Sequence, residues 1–512
     1  MVYKVYSGRV GGVFGDLITV EVDSSAGLPG IDIIGLAGSD VKEAKDRVRV
    51  ALKNCGVSCP SGRVIINLSP ADEHKEGAGF DLAIATGIMG TMERIRDFDP
   101  DEALILGELS LDGKVLPVRG VLPIVRFAKE KGFKRVIVPR INAPEAGLIK
   151  DIEIIPMDSL SEYIRFLECP AEYLPKEFPP YERGSGGMVT ENRDIPDFAD
   201  VSGQEGVKRA AAIAAAGMHH LILIGPPGTG KSLIAKRIPG ILPPLSYEES
   251  LEVTSVYSVS GKLDGRLPFM TERPFFGPHH GASPQAIVGG GQSAKPGLVS
   301  LSHRGILFLD EMPEFKRETL DMLRQPLEDG EITVSRAKRT YTYPAKFMLV
   351  GAMNPCPCGY YPDRNRCTCS QPQISRYLSK ISGPIADRID ICVEVDRMDP
   401  KDIVVKKENI STAELRAGVI RAMDLQKERY KNENFKYNAL LPSSKADKYI
   451  PLGREEKDFA YSMYERLNLS MRSFYKILRV ARTIADFDGD ETVTVKHLAE
   501  ASCYRFPEYM GG

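Results

Sequence analysis

The strongest chemical signal in this 512-residue chain is Gly225-Pro226-Pro227-Gly228-Thr229-Gly230-Lys231-Ser232. The spacing fits G-x-x-x-x-G-K-[ST]. The apolar run LILI precedes it and a helical pattern follows, and a chance glycine-rich turn would lack that frame. Glycines let backbone N–H groups face a phosphate without a Cβ in the way, Lys231 reaches the β/γ-phosphates, and the Ser232 hydroxyl binds Mg2+. GILFLDE (305–311) supplies a second element, an apolar strand ending in two acids. Asp310 would hold Mg2+ through water and Glu311 would polarise the attacking water. Taken alone, the same pattern reads equally as a strand ending in solvated carboxylates. KFMLVGAMN (346–354) is another buried strand. Its terminal Asn354 could orient the lytic water or simply form a turn before Pro355.

Four of the nine cysteines, Cys356, Cys358, Cys367 and Cys369, fall within NPCPCGYYPDRNRCTCSQ. No run reaches the roughly 18 apolar residues of a membrane span, and the N-terminus lacks the apolar stretch of a secretory signal. A cytoplasmic location follows, where thiols stay reduced, and an odd cysteine count fits a disulfide framework poorly. Four thiolates could close a structural tetrahedral Zn2+ site; the alternative is four free thiols in a loop. The other cysteines (Cys55, Cys59, Cys169, Cys392 and Cys503) read as ordinary small residues. A net charge of −2 gives no global attraction to nucleic acid or anionic lipid, so any basic surface must be local.

These residues need a scaffold, and the chain divides to provide one. A Pro-, Gly- and charge-rich linker spans 174–198. Before it, 1–173 reads as α/β. LITVEV and RVIINL are strands, a helix begins with Ser39 or Asp40 as its cap, FDLAIATGIMGTM is a buried helix, and PIVRFAKEKG followed by RVIVP is a helix and strand. After the linker, 199–395 has the rhythm of a nucleotide-binding α/β domain with a parallel sheet. Residues 396–512 read as helical, with TAELRAGVIRAMDLQKERY and SFYKILRVARTIADF as long amphipathic helices.

DFADVSGQEGVKRAAAIAAAGMHHLILIGPPGTGKS, the PHHGAS segment at 278–283, GILFLDEMPEF and GAMNPCPCG together resemble the Mg-chelatase-like AAA+ ATPases of the YifB/ComM type, over nearly the whole chain. The resemblance implies an AAA+ core with a helical lid, ATP and Mg2+ as ligands, and a hexameric ring in which one subunit's arginine completes the next subunit's site. The matching segment SGPIADRIDI makes Arg388 that arginine; a surface pair with a neighbouring aspartate is the alternative, and Arg376 is the weaker candidate. The lid arginine falls on Arg472. Val201 and Gln204 resemble the adenine-side element. Residues 275–304 and the hairpin within 328–347, with Arg336, Lys338 and Arg339 at its tip, resemble pore-facing insertions that would present a basic channel to DNA; a solvated charged turn is the competing reading. His279 and His280 read as loop packing or pore contacts. The resemblance also favours a structural zinc at the four cysteines.

The N-terminal segment resembles the Lon-protease-like fold, but the serine position falls on Gly79 and the lysine position on Leu122. Neither can do nucleophilic chemistry, so this domain is expected to be a non-catalytic binding or assembly module. The implied activity is ATP-driven remodelling of branched or single-stranded DNA: branch migration or helicase-like action on recombination intermediates, as in natural transformation. A protein-remodelling ATPase similar to the magnesium chelatase ATPase subunit is the alternative.

Overall fold

A computed structural model describes residues 2–35, 38–70, 79–95, 98–169, 195–263, 269–291, 294–336, 339–397 and 409–506. Most of the linker (174–194), residues 74–78 of the HKEGAG stretch and Lys338 lie outside them. The described residues form two compact units, Met1–Val189 with Tyr247–Met270, and Thr190–Ser246 with Thr271–Gly512. No described helix is long and apolar enough to cross a membrane.

The first unit is built on a seven-stranded mixed sheet. Its order is Gly30–Ile34, Arg63–Ser69, Phe14–Ser25, Tyr3–Gly11, Ala103–Ile105, Arg135–Pro139 and Glu153–Met157. LITVEV and RVIINL pair antiparallel within it, with Val20 opposite Leu68 and Val22 opposite Ile66. Alternation puts Ile18, Val20 and Val22 into the core, as period-2 patterning requires. The helix Ser39–Asn54 forms as expected, but Gly38 occupies its cap position rather than Ser39 or Asp40. Asp81–Thr91 is apolar on all sides and almost wholly buried, the signature of a helix inside a core. Its two internal glycines admit the sheet: a Cβ on Gly90 would sit 2.3 Å from the Tyr3 ring.

The helix Tyr247–Ser260, which lies in sequence after the phosphate-binding loop, is packed into this first unit. Its Tyr247 hydroxyl donates to the Leu148 carbonyl at 2.6 Å. Ser258 Oγ donates to the buried Glu145 carboxylate, which also accepts from the Leu122 N–H at 3.0 Å. Leu122 is itself buried, and a Cβ on Gly79 would make a tight contact of 3.1 Å with a Val118 methyl.

The second unit carries a five-stranded parallel sheet ordered Phe275–Phe276, Ile306–Leu309, Met348–Met353, Leu221–Ile224, Ile391–Glu394. The helices Glu205–Gly217 and Lys231–Ile241 pack beside it, and the helical tail joins the same core through Thr412–Arg429 and Met471–Asp488. Thr412–Arg429 opens with a capping box in which Ser411 and Glu414 satisfy each other's N–H groups. The hairpin Glu331–Arg336 and Arg339–Pro344 is antiparallel and brings the backbones of Arg336 and Arg339 opposite each other at its tip.

One buried charge in the first unit gives a pH test. Asp81 is fully buried against Arg47 at 2.9 Å, and burial pushes its carboxyl up to about 6 despite that partner and the Leu109 N–H. A carboxyl raised in the folded state holds its proton more tightly there, so its contribution is full below about pH 4 and is lost as pH rises through 6. The first unit should therefore lose stability across that window, by roughly 3 kcal/mol at most. Asp81→Asn should flatten the slope. Urea unfolding of the full chain, followed by hydrogen exchange in the Asp81–Thr91 peptide, measures it; an unchanged slope in the variant would remove Asp81 as the cause.

Candidate nucleotide site and thiolate cluster

In a parallel sheet all carboxyl ends lie along one edge, and the Leu221–Ile224 strand sits between Met348–Met353 and Ile391–Glu394. The loop Gly225–Gly230 therefore emerges beside Asn354 and one strand away from Asp310 and Glu311. Gly228 and Gly230 adopt left-handed φ of +79° and +89°, which a side chain would resist. Gly225 is required for space: a Cβ there would meet the Val395 carbonyl oxygen at 2.2 Å. The loop thus turns tightly enough for Lys231 to begin the next helix.

Lys231 Nζ donates to the carbonyls of Gly225 and Pro226 at 2.6 and 2.8 Å and to Asn354 Oδ1 at 3.2 Å. Burial lowers its pKa, while Asp310 and Glu311 pull the other way. Ser232 Oγ donates to Asp310 Oδ2 at 2.7 Å. A hydroxyl and a carboxylate in that contact are the hard oxygen pair that Mg2+ takes alongside phosphates and water, so these residues fit the ion. Glu311 stands apart from this contact. Its side chain is 62% exposed, and its backbone is left-handed at φ +49°, a strained conformation of the kind that gathers at functional sites. Val201 and Gln204 lie on the approach to the helix Glu205–Gly217, where Gln204 Nε2 donates to the Asp396 carbonyl at 2.6 Å. Thr229 caps the loop internally, donating to the Pro226 carbonyl at 3.0 Å.

His280, read from the sequence as loop packing or a pore contact, lies beside Glu311. Its Nδ1 lies 3.7 Å from Glu311 Oε2, and its ring lies against that of His279 with centroids 4.0 Å apart and planes tilted by 34°. The available signal was topological: PHHGAS follows the strand Phe275–Phe276, which pairs with the Ile306–Leu309 strand that ends at Asp310.

Arg388 and Arg472 occupy a different place. Both line a cavity of about 290 Å3 with Lys476 and Arg479, and no residue of 225–232 lines it. Arg388 is mostly buried, donates to the Pro384 carbonyl and pairs with Glu328. Burial, then the cations Arg472 and Arg324, lower its pKa. The alternative is a surface pair with a neighbouring aspartate; the carboxylate in contact is Glu328. Arg376 is exposed on the helix Gln371–Leu378.

The four cysteines come together. Sγ of Cys356 lies 3.3 Å from that of Cys358 and 3.8 Å from that of Cys367, Cys358 and Cys367 are 3.6 Å apart, and all four ligand atoms lie within 4.8 Å of one another. These separations exclude disulfides, which need about 2.05 Å. They match the edge of a tetrahedron with Zn–S near 2.3 Å, about 3.8 Å. The thiolates fit a closed structural zinc site.

Comparison with known proteins agrees with this geometry. Residues 197–403 match the family described as "Magnesium chelatase, subunit ChlI", 20–142 match "Subunit ChlI of Mg-chelatase", and 409–505 match "Magnesium chelatase, subunit ChlI C-terminal". The competence protein ComM of Haemophilus influenzae is 40% identical over 504 residues, 98% of this chain and 97% of that protein. YifB of Escherichia coli is 41% identical over 498 residues, 96% of this chain and 95% of its own. A Lon protease of Mycolicibacterium smegmatis is 29% identical over 168 residues, 30% of this chain. The parallel sheet, its phosphate loop and the helices that follow define an AAA+ ATPase. The chain belongs to the YifB/ComM family of Mg-chelatase-like AAA+ ATPases.

Glu311→Gln should lower phosphate release by about 10²-fold or more while a fluorescent ATP analogue binds as before. A matching loss of affinity would assign Glu311 to binding instead of chemistry.

Proposed function

We propose that this chain is a ring-forming motor that couples ATP hydrolysis to the remodelling of branched or single-stranded DNA. One observation carries the ring: the loop that would hold ATP has no arginine for the γ-phosphate, while Arg388 and Arg472 share a cavity lined by none of its residues. A cation is needed where charge develops on the transferred phosphoryl group, and in a closed hexamer each subunit's Arg388 would serve its neighbour, with Arg472 as the lid arginine. Loop N–H groups and Lys231 would hold the β/γ-phosphates. Ser232 and Asp310 would hold Mg2+, which would supply positive charge against the phosphates. Glu311 would take the proton of the attacking water, and Asn354, already bonded to Lys231, would position that water. Val201 and Gln204 would border the base.

The full-length likeness to a competence protein, and the branch-migration activity that the family resemblance implies, support DNA as the substrate. The hairpin with Arg336 and Arg339 at its tip would present positive charge to the strand. We assign 199–395 to the ATPase core, 396–512 to the lid, and the first 173 residues to a non-catalytic module, since Gly79 and Leu122 stand where a nucleophile and its base would be. A cytoplasmic location suits four reduced thiols.

Arg388→Ala should cut turnover by about 10³-fold and leave ATP affinity nearly intact. Mixed with Glu311→Gln protein it should regain part of the lost turnover, because mixed rings contain interfaces with both groups intact. No recovery would argue against action across subunits and make Arg376 the next candidate. For the substrate, ATPase rates are compared alone, with single-stranded DNA and with a four-way junction, using Glu311→Gln as blank. Severalfold stimulation by the junction is expected. Turnover indifferent to every DNA would overturn this reading in favour of a protein substrate.

A further inference from the structure

The thiolate cluster is not remote from the phosphate loop. Gly359, between the two cysteine pairs, is buried with a left-handed φ of +85°, and a Cβ on it would lie 2.5 Å from Cδ of Pro227. Pro227 is the third residue of the phosphate-binding loop. The Gly359 N–H donates to Cys356 Sγ at 3.2 Å, and the Tyr361 N–H reaches the same sulfur at 3.4 Å. One thiolate therefore fixes the backbone that presses against the loop.

A second contact runs through Tyr360, whose ring has two guanidiniums close by, Arg366 at 4.6 Å and Arg397 at 5.2 Å from its centroid. Arg397 follows Asp396, whose carbonyl accepts from Gln204, and Val395, whose carbonyl closes against Gly225. The cysteine loop thus touches the phosphate loop directly and is strapped to the segment that borders it.

We propose that the four-thiolate loop is a working part of the nucleotide site, so that zinc occupancy and ATP occupancy are linked and each strengthens the other. The proposal rests on the zinc and ATP readings above. With the metal in place, the residues from Cys356 to Cys369 form one cross-linked body and Gly359 is held against Pro227. Without it, the loop loses its cross-link, and the conformation that aims backbone N–H groups at a phosphate must be ordered by ATP alone. Linkage is reciprocal: whatever factor zinc adds to nucleotide affinity, nucleotide adds to zinc affinity. Gly359 is then a positioning residue for the nucleotide, although it bonds neither metal nor phosphate.

The test uses the full chain and begins with its zinc content. Zinc release to a chromophoric chelator is followed with and without a non-hydrolysable ATP analogue, and a fluorescent ATP analogue is titrated against loaded and stripped protein. Linkage predicts that nucleotide retards zinc loss and that stripping weakens nucleotide binding, both by about tenfold, a typical coupling factor. Gly359→Ala should keep its zinc yet bind nucleotide several-fold more weakly, and its zinc release should no longer respond to nucleotide. This arm holds even if stripped protein unfolds. Zinc-loaded protein whose release ignores a bound nucleotide would overturn the linkage while leaving the metal site standing. Protein that is well folded and binds ATP but never contains zinc would overturn the metal reading and the linkage with it.

Discussion

Everything at the candidate site depends on one constraint: five strands run parallel, so their carboxyl ends share one edge. The strand order places Leu221–Ile224 beside both Met348–Met353 and Ile391–Glu394. Residues 78 positions apart in sequence, Ser232 and Asp310, are therefore in hydrogen-bond contact at 2.7 Å. Lys231 and Asn354 meet for the same reason. Open parallel sheets bind ligands at this edge because helices cover both faces and only the loops are free.

Around that edge the chain spends buried polarity sparingly. Lys231 turns its ammonium onto two carbonyls of its own loop and one amide, which keeps a partly desolvated cation satisfied and leaves it near the path of a phosphate. Arg388 is also mostly buried, yet it is held by Glu328 in a separate cavity rich in cations. Glu328, Asp329, Asp387 and Asp390 line that cavity as well, so its cations sit among carboxylates, and none of residues 225–232 reaches it.

The cysteine loop and the helix Tyr247–Ser260 both find partners far away in sequence. The first presses Gly359 against Pro227. The second leaves the ATPase segment, buries Ser258 against Glu145 and covers the part of the first unit where Leu122 stands. That arrangement is maintained by a carboxylate whose pKa is raised by burial and which is satisfied by Ser258, Leu122 and Asn142 together. Removing any one donor would leave a buried acceptor short of a partner, a costly state.

Local patterns were legible in the residues alone. Loop spacing, the apolar run before it, the acids closing GILFLDE and the doubled C-x-C all report chemistry through types and intervals, because glycine freedom, hydroxyl, amine, carboxylate and thiolate have few substitutes. Strand alternation in LITVEV and RVIINL, and the amphipathic pattern of TAELRAGVIRAMDLQKERY, follow from backbone periods of 2 and 3.6. What could not be read there are contacts between segments that no period or motif relates: Gly38 in place of Ser39 as a cap, His280 beside Glu311, Glu328 on Arg388, Gly359 on Pro227, and a helix of the ATPase segment folded into the N-terminal unit. Sequence by itself determined which groups could act and which strands and helices would carry them. Tertiary structure decided which of those groups meet, because side-chain proximity across a sheet edge or a packed loop depends on strand order and close packing of the whole chain, not on spacing along it.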